Sequence, residues 1–203
     1  MHKLILLVAA LLIATPAIAS ANLLSDAGFE GAGVGPWSYS ESNANYIQNF
    51  DSASAAHSGS QGLEISWTSS VPAWQASETK QDLTVIAGDP WVASVYAKTV
   101  SVLGGGQAYL ETVFYDASWV ETGKYQSTAL SGTNDWTLLT SSGTIPVDTV
   151  TASYRLMAFA NGDSSASGIV YFDDATAAIP EPASMLLLGS GLVGLLGFSR
   201  KKK

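Results

Sequence analysis

The spacing of apolar residues divides the chain into three unlike parts. Residues 4–13 are an unbroken apolar run and residues 183–198 are another. Between them no stretch sustains the 3.6-residue period of an amphipathic helix. The middle instead holds short runs rich in Val, Thr, Tyr, Trp and Ser, broken by Gly, Asp and Asn, which is the pattern of strands and turns. In 61–66, Leu63 and Ile65 share one face, and Glu64 and Ser66 the other. In 107–115, Leu110, Thr112 and Phe114 form a core face, and Tyr109, Glu111, Val113 and Tyr115 face solvent or a cleft. Further strands are predicted at 79–86, with Leu83 and Val85 inward, and at 91–100, 125–130, 136–144, 150–160 and 168–175. An edge strand opens at 22–24, and 38–50 alternates weakly. Loops fall at 31–35, 51–59, 67–74, 104–106, 116–123 and 161–167. Eight or nine strands with no crossover helix predict an all-β, antiparallel β-sandwich, jelly-roll-like, over 22–178.

The two apolar runs differ in their flanks. Met1, His2 and Lys3 precede the first run, and small residues at Ala17, Ala19 and Ala21 follow it, the layout of a signal peptide over 1–21 with Asn22 as the new N-terminus. The second run is closed by Arg200, Lys201, Lys202 and Lys203 and carries only serines as polar groups, so it has no face for water. As a transmembrane helix over 183–199 it would be slightly short at ~1.5 Å per residue, with the basic end snorkelling and held on the cytoplasmic side.

Charge and composition narrow the function. The chain holds 9 Lys/Arg and 17 Asp/Glu; five of the basic residues and one acid lie in the terminal segments, leaving 4 and 16, a formal charge near −12, in the middle. Such a balance excludes nucleic acid as a partner and leaves divalent cations open. There is no cysteine, hence neither disulfide nor thiolate chemistry. His57 is the one histidine of the middle, stands in a small-residue loop, and has no neighbouring nucleophile or acid motif, so the sequence supplies no catalytic residues.

Pro180, Glu181 and Pro182, then the apolar run, then the terminal basic block, together resemble the PEP-CTERM sorting signal, which covers 179–203 here. The resemblance implies export through the secretion machinery, transient anchoring in the inner membrane with the C-terminus cytoplasmic, and processing near the Pro-Glu-Pro by an exosortase. The protein would then reside at the cell surface or outside the cell, in company with exopolysaccharide.

Across the middle a second resemblance appears. Asn22-Leu23-Leu24 with Gly28-Phe29-Glu30 and Pro36-Trp37, then Ser58-Gly59-Ser60-Gln61-Gly62-Leu63, Gln81-Asp82-Leu83, Ser94-Val95-Tyr96-Ala97-Lys98, Asp135-Trp136-Thr137 and Tyr171-Phe172-Asp173-Asp174 resemble, in order, the carbohydrate-binding modules of families four and nine. The resemblance implies one structural Ca2+ held by Glu30 and Asp173 or Asp174 with oxygens around Ser60 and Gln61. Strand alternation allows only one of the two adjacent aspartates into its shell. It also places Trp37 and Trp136 among core residues.

Sugar binding needs aromatic rings that stack on the C–H face of a pyranose, with polar groups for its hydroxyls. Trp67, Trp74 and Trp119 fall at loops or strand ends beside Gln75, Glu78 and Glu121, and Tyr109, Glu111 and Tyr115, with Tyr96, supply a sheet face; these are the carbohydrate-binding candidates. Three functions fit these residues: a non-catalytic module that binds exopolysaccharide, a purely structural surface or biofilm-matrix protein, and a small polysaccharide-active enzyme, in that order.

Overall fold

The computed structural model describes residues 21–42, 45–71, 74–161 and 166–180. Residues 1–20 of the expected signal peptide 1–21, Glu181, Pro182, the 183–199 run and the terminal basic block lie outside the described residues. Among the described residues ten strands form two five-stranded antiparallel sheets. They are β1 (Ser38–Glu41), β2 (Tyr46–Ser52), β3 (Gly62–Val71), β4 (Ala76–Thr84), β5 (Pro90–Leu103), β6 (Gly106–Tyr115), β7 (Glu121–Gln126), β8 (Gly132–Thr144), β9 (Thr151–Ala160) and β10 (Ala166–Ala178). A single 3-10 turn, Ala53–Ala55, is the one helical piece among the described residues.

The first sheet runs β1-β4-β9-β6-β7 and the second β2-β3-β10-β5-β8. From β3 onward nearly every connection crosses from one sheet to the other, the jelly-roll-like arrangement expected for strands that each bury one face. The sandwich therefore has one strand more than the upper sequence count, because the weakly alternating stretch 38–50 divides into β1 and β2 on opposite sheets. Residues 22–24 form no strand of their own, yet Leu23 N–H donates to Ala177 O at 2.8 Å and lies along the end of β10.

The core follows the period-two faces. Leu63 and Ile65 on β3, Leu110, Thr112 and Phe114 on β6, and Val170 and Phe172 on β10 are fully buried between the sheets. Among the described residues Trp67 Nε1 and Ser141 Oγ are buried without a hydrogen-bond partner, whereas the other large buried polar tips are satisfied. Trp91 Nε1 donates to Thr112 Oγ1 at 3.2 Å, Tyr154 OH to Ser94 O at 2.7 Å, and Trp37 Nε1 to Asp26 O at 3.0 Å. Trp37 also stacks on Phe29, with ring centroids 4.8 Å apart, and closes one side of the core as its sequence context implied. Left unpaired, each such group would cost about 1–3 kcal/mol.

Candidate carbohydrate-binding face and the acidic loop clamp

Strand register decides what the outer face of the first sheet carries. β9 pairs with β4 and β6 so that Met157 stands between Glu78 and Tyr109, Arg155 between Lys80 and Glu111, and Ser153 between Asp82 and Val113. All of these point away from the core, because their neighbours Ala152, Tyr154, Leu156 and Ala158 are buried within it. At one end of the strip Trp74 follows β3, its ring 6.1 Å from Phe159, which in turn lies 6.4 Å from Tyr109. At the other end Trp119, in the β6–β7 turn, lies 5.5 Å from Tyr115. The rings thus line a strip along β6. From Tyr109 to Tyr115 it measures about 20 Å at ~3.3 Å per residue, with an exposed tryptophan beyond each end: Trp74 is 68 % exposed and Trp119 61 %.

The middle of the strip is charged and crowded. Arg155 is held by three partners: Nη1 lies 3.0 Å from Glu78 Oε2, Nε donates to Ser153 Oγ at 3.2 Å, and Nη2 donates to Tyr115 OH at 2.5 Å. Lys124 Nζ is 3.8 Å from Glu111 Oε2, and Lys80 Nζ is 3.8 Å from Glu78 Oε1. Tyr109 and Glu111 face outward, yet each is only 8 % exposed, which is not the exposure of an ordinary wet sheet surface. Burial pushes the Glu111 carboxyl above its usual range against the pull of Lys124 and Arg155. Burial, with the Glu111 charge beside it, pushes the Tyr109 phenol up to about 12.

The structure thus brings together five of the seven candidates, Trp74, Trp119, Tyr109, Glu111 and Tyr115. Trp67 and Tyr96 are the exceptions. β3 runs on to Val71, so period two places Trp67 with Leu63 and Ile65 on the inward face, 7 % exposed and 5.7 Å from Tyr46. It is a core residue. Tyr96 lies on β5 of the second sheet and takes no part in the strip. Trp136 is half-buried on the outside of that same sheet rather than in the core, because alternation along β8 sets it with the exposed Leu138, opposite the buried Leu139. Sequence reasoning missed Arg155 and Phe159. The same alternation that picks out Tyr109 and Tyr115 places both on the outward face of 150–160.

The residues suggested for calcium also meet, around the loop 57–61. Glu30 Oε1 accepts from Ser60 N–H at 2.8 Å and Gln61 N–H at 3.2 Å, and its Oε2 accepts from Ser60 Oγ at 2.6 Å. Asp173, fully buried, accepts from His57 N–H at 2.7 Å, Ser58 N–H at 2.9 Å and Asp174 N–H at 2.7 Å. Asp174 holds His57 Nδ1 at 2.6 Å and Ser58 Oγ at 2.6 Å. All six carboxylate oxygens therefore face N–H or O–H donors. A hard cation needs converging oxygens, so this donor set does not fit calcium. Among the described residues no cluster of three or more acidic or histidine side chains has metal-ligand geometry. Alternation also fails at this point. β10 bulges between Asp173 and Thr176, Asp174 takes φ 51°, and both aspartates reach the same loop. Gly59, at φ 66°, completes the clamp, since a Cβ there would lie 2.0 Å from Glu30 Oε1.

Comparison with known proteins adds two findings. Residues 178–201 match the PEP-CTERM protein-sorting motif, which implies export and C-terminal processing. No curated protein sequence matches the chain. Among solved structures, the sandwich is similar to a family 61 carbohydrate-binding module in complex with β-1,4-galactotriose (TM-score 0.56, 17 % identity, 79 % of this chain and 100 % of that one). It is also similar to the second family 16 carbohydrate-binding module (TM-score 0.56, 17 % identity, 77 % and 99 %). The enzymatically active domain of tailspike protein 4 of bacteriophage CBA120 is similar as well (TM-score 0.58, 13 % identity), but the chain spans only 21 % of that protein. At these identities the likeness establishes the fold: a sandwich of the carbohydrate-binding-module kind, not one particular to families four and nine.

Proposed function

We propose that this protein is an exported surface or matrix protein whose sandwich is a non-catalytic module for an extended, uncharged polysaccharide, such as the exopolysaccharide of the cell that makes it. The observation that carries the reading is the ring-lined strip on the first sheet, with Trp74 and Trp119 exposed beyond its two ends. Exposed indole faces suit the C–H faces of pyranoses, and the carboxylates and ammonium groups of Glu78, Glu111, Lys80 and Lys124 suit their hydroxyls. Arg155 is already engaged by Glu78, Tyr115 and Ser153, so it has little left to offer a uronic acid. The domain's strong negative charge also disfavours an anionic chain. An exosortase acting near Pro180 is the expected processing partner.

Affinity electrophoresis against neutral and acidic glycans tests the proposal. Retardation by a neutral glycan, lost in Trp74→Ala and Trp119→Ala, is expected. Retardation by none of them would leave a purely structural role, and release of reducing sugar would overturn the non-catalytic assignment.

A further inference from the structure

The end of the sandwich from which the tail departs is unusually apolar. β10 ends at Ala178, opposite Val92 near the start of β5, and β5 begins just after the 84–90 turn. That turn is laced to two others: Val85 N–H donates to Val150 O at 3.1 Å, and Val150 N–H to Tyr115 O at 2.9 Å, where the 115–121 turn begins. These three turns project Ile86, Val147, Val150 and Val120 into solvent, Val147 at 76 % exposure, and Leu23 and Val92 are exposed beside the exit. With Trp119, seven of the twelve large hydrophobic residues exposed among the described residues gather at this one end.

The chain itself supplies the occupant. Four residues, 179–182, separate the end of β10 from the apolar run at 183, and even fully extended they reach only about 14 Å at ~3.3–3.6 Å per residue. The headgroup layer is ~5–8 Å deep on each side of a bilayer. A tail inserted in the membrane therefore holds this end of the sandwich against the lipid surface. We propose that Ile86, Val120, Val147 and Val150 form a membrane-seating tip that rests in the bilayer interface while the tail is inserted, and so fixes the height of Pro180 above the membrane. Asp89, Asp116, Glu121 and Asp148 rim the tip, so the surface it suits is zwitterionic rather than anionic. The inference rests on insertion of the tail, not on sugar binding.

The absence of cysteine makes the test direct. Full-length Val147→Cys and Ile86→Cys, at the tip, and Leu103→Cys, at the opposite end, are each labelled with an environment-sensitive dye and reconstituted in phosphatidylcholine vesicles. Both tip labels should shift to the blue, be quenched by nitroxide lipid and lose quenching by aqueous iodide, whereas the Leu103→Cys label should stay open to iodide. Tip labels as open to iodide as the Leu103→Cys label, on protein that floats with the vesicles, overturn the seating. Failure to float with the vesicles overturns tail insertion and the seating with it, and leaves the glycan assay unaffected.

Discussion

Removing one indole from the strip separates a binding surface from a decorative one. Trp74→Ala takes away a ring that is 68 % exposed and touches only Phe159 among the aromatic side chains. A Trp side chain offers ~150–250 Å², so a sugar stacked on one face of this ring covers about 70 Å² of apolar surface, which at ~25 cal/mol per Å² is about 1.8 kcal/mol, or about 20-fold in Kd. Trp119, 61 % exposed against Tyr115, gives nearly the same figure. The fold should hardly notice, since exposed substitutions of this kind stay within about 0.5 kcal/mol. Trp74 and Trp119 both sit at positive φ, 63° and 61°, a strain that Ala shares and Gly would relieve, so Ala is the cleaner probe. Calorimetric titration with a retained neutral glycan measures the effect, near-ultraviolet circular dichroism checks the fold, and Trp136→Ala on the opposite sheet is the control. Unchanged affinity in both strip variants, or an equal loss in Trp136→Ala, would refute the strip.

Three further outcomes follow from the geometry. Asp173→Ala orphans three backbone N–H groups at a fully buried site; at about 1–3 kcal/mol each, less what water can repair, it should cost about 3–4 kcal/mol in urea unfolding at unchanged m, and a loss below about 1 kcal/mol would discount the clamp. Glu111 is held above its ordinary value of 4.5, chiefly by burial, so the folded state binds its proton more tightly than the unfolded chain does and stability falls as pH rises from about 4.5 through the folded value. Glu111→Gln should flatten the urea midpoint over that window, and an identical pH slope in the two proteins would contradict it. The melting temperature should be the same in calcium chloride and in EDTA; a rise of several degrees with calcium would mean that the carboxylates of Glu30, Asp173 and Asp174 turn from their N–H donors to a cation.

What the sequence made legible was whatever repeats with period two. The two faces of 107–115 are read from alternation alone, and the structure buries Leu110, Thr112 and Phe114 while turning Tyr109, Glu111 and Tyr115 outward. Strand length, not alternation, decides Trp67: Thr68, Ser69 and Ser70 read as a loop, yet β3 carries on through them. At Asp173 and Asp174 one bulge cancels the alternation rule, and nothing local announces a residue at φ 51° other than an aspartate's tolerance for it. In sequence, His57 stands in a Ser/Ala loop with no partner in view. Its ring lies 3.8 Å from Tyr96, stacked at 16°, and its Nδ1 meets Asp174, 117 residues away in sequence, contacts that no spacing could foretell.

The strip and the tip meet at Trp119. β6 runs from the end bearing Trp74 to the end bearing Trp119, and Trp119 is followed directly by Val120 of the proposed seating surface. A sandwich held tip-down on a bilayer therefore presents the Trp74 end of the strip outward and presses the Trp119 end toward lipid headgroups. Processing near Pro180 would remove the leash and open the whole strip. It follows that glycan affinity should be weaker for full-length protein in phosphatidylcholine vesicles than for the same protein in detergent after cleavage at the Pro-Glu-Pro. Trp119→Ala should erase that difference, because the indole is the contact the bilayer withholds, whereas Trp74→Ala should weaken both forms alike. Equal affinity of the vesicle-held and the cleaved wild-type protein would separate the two surfaces and confine the tip to anchoring.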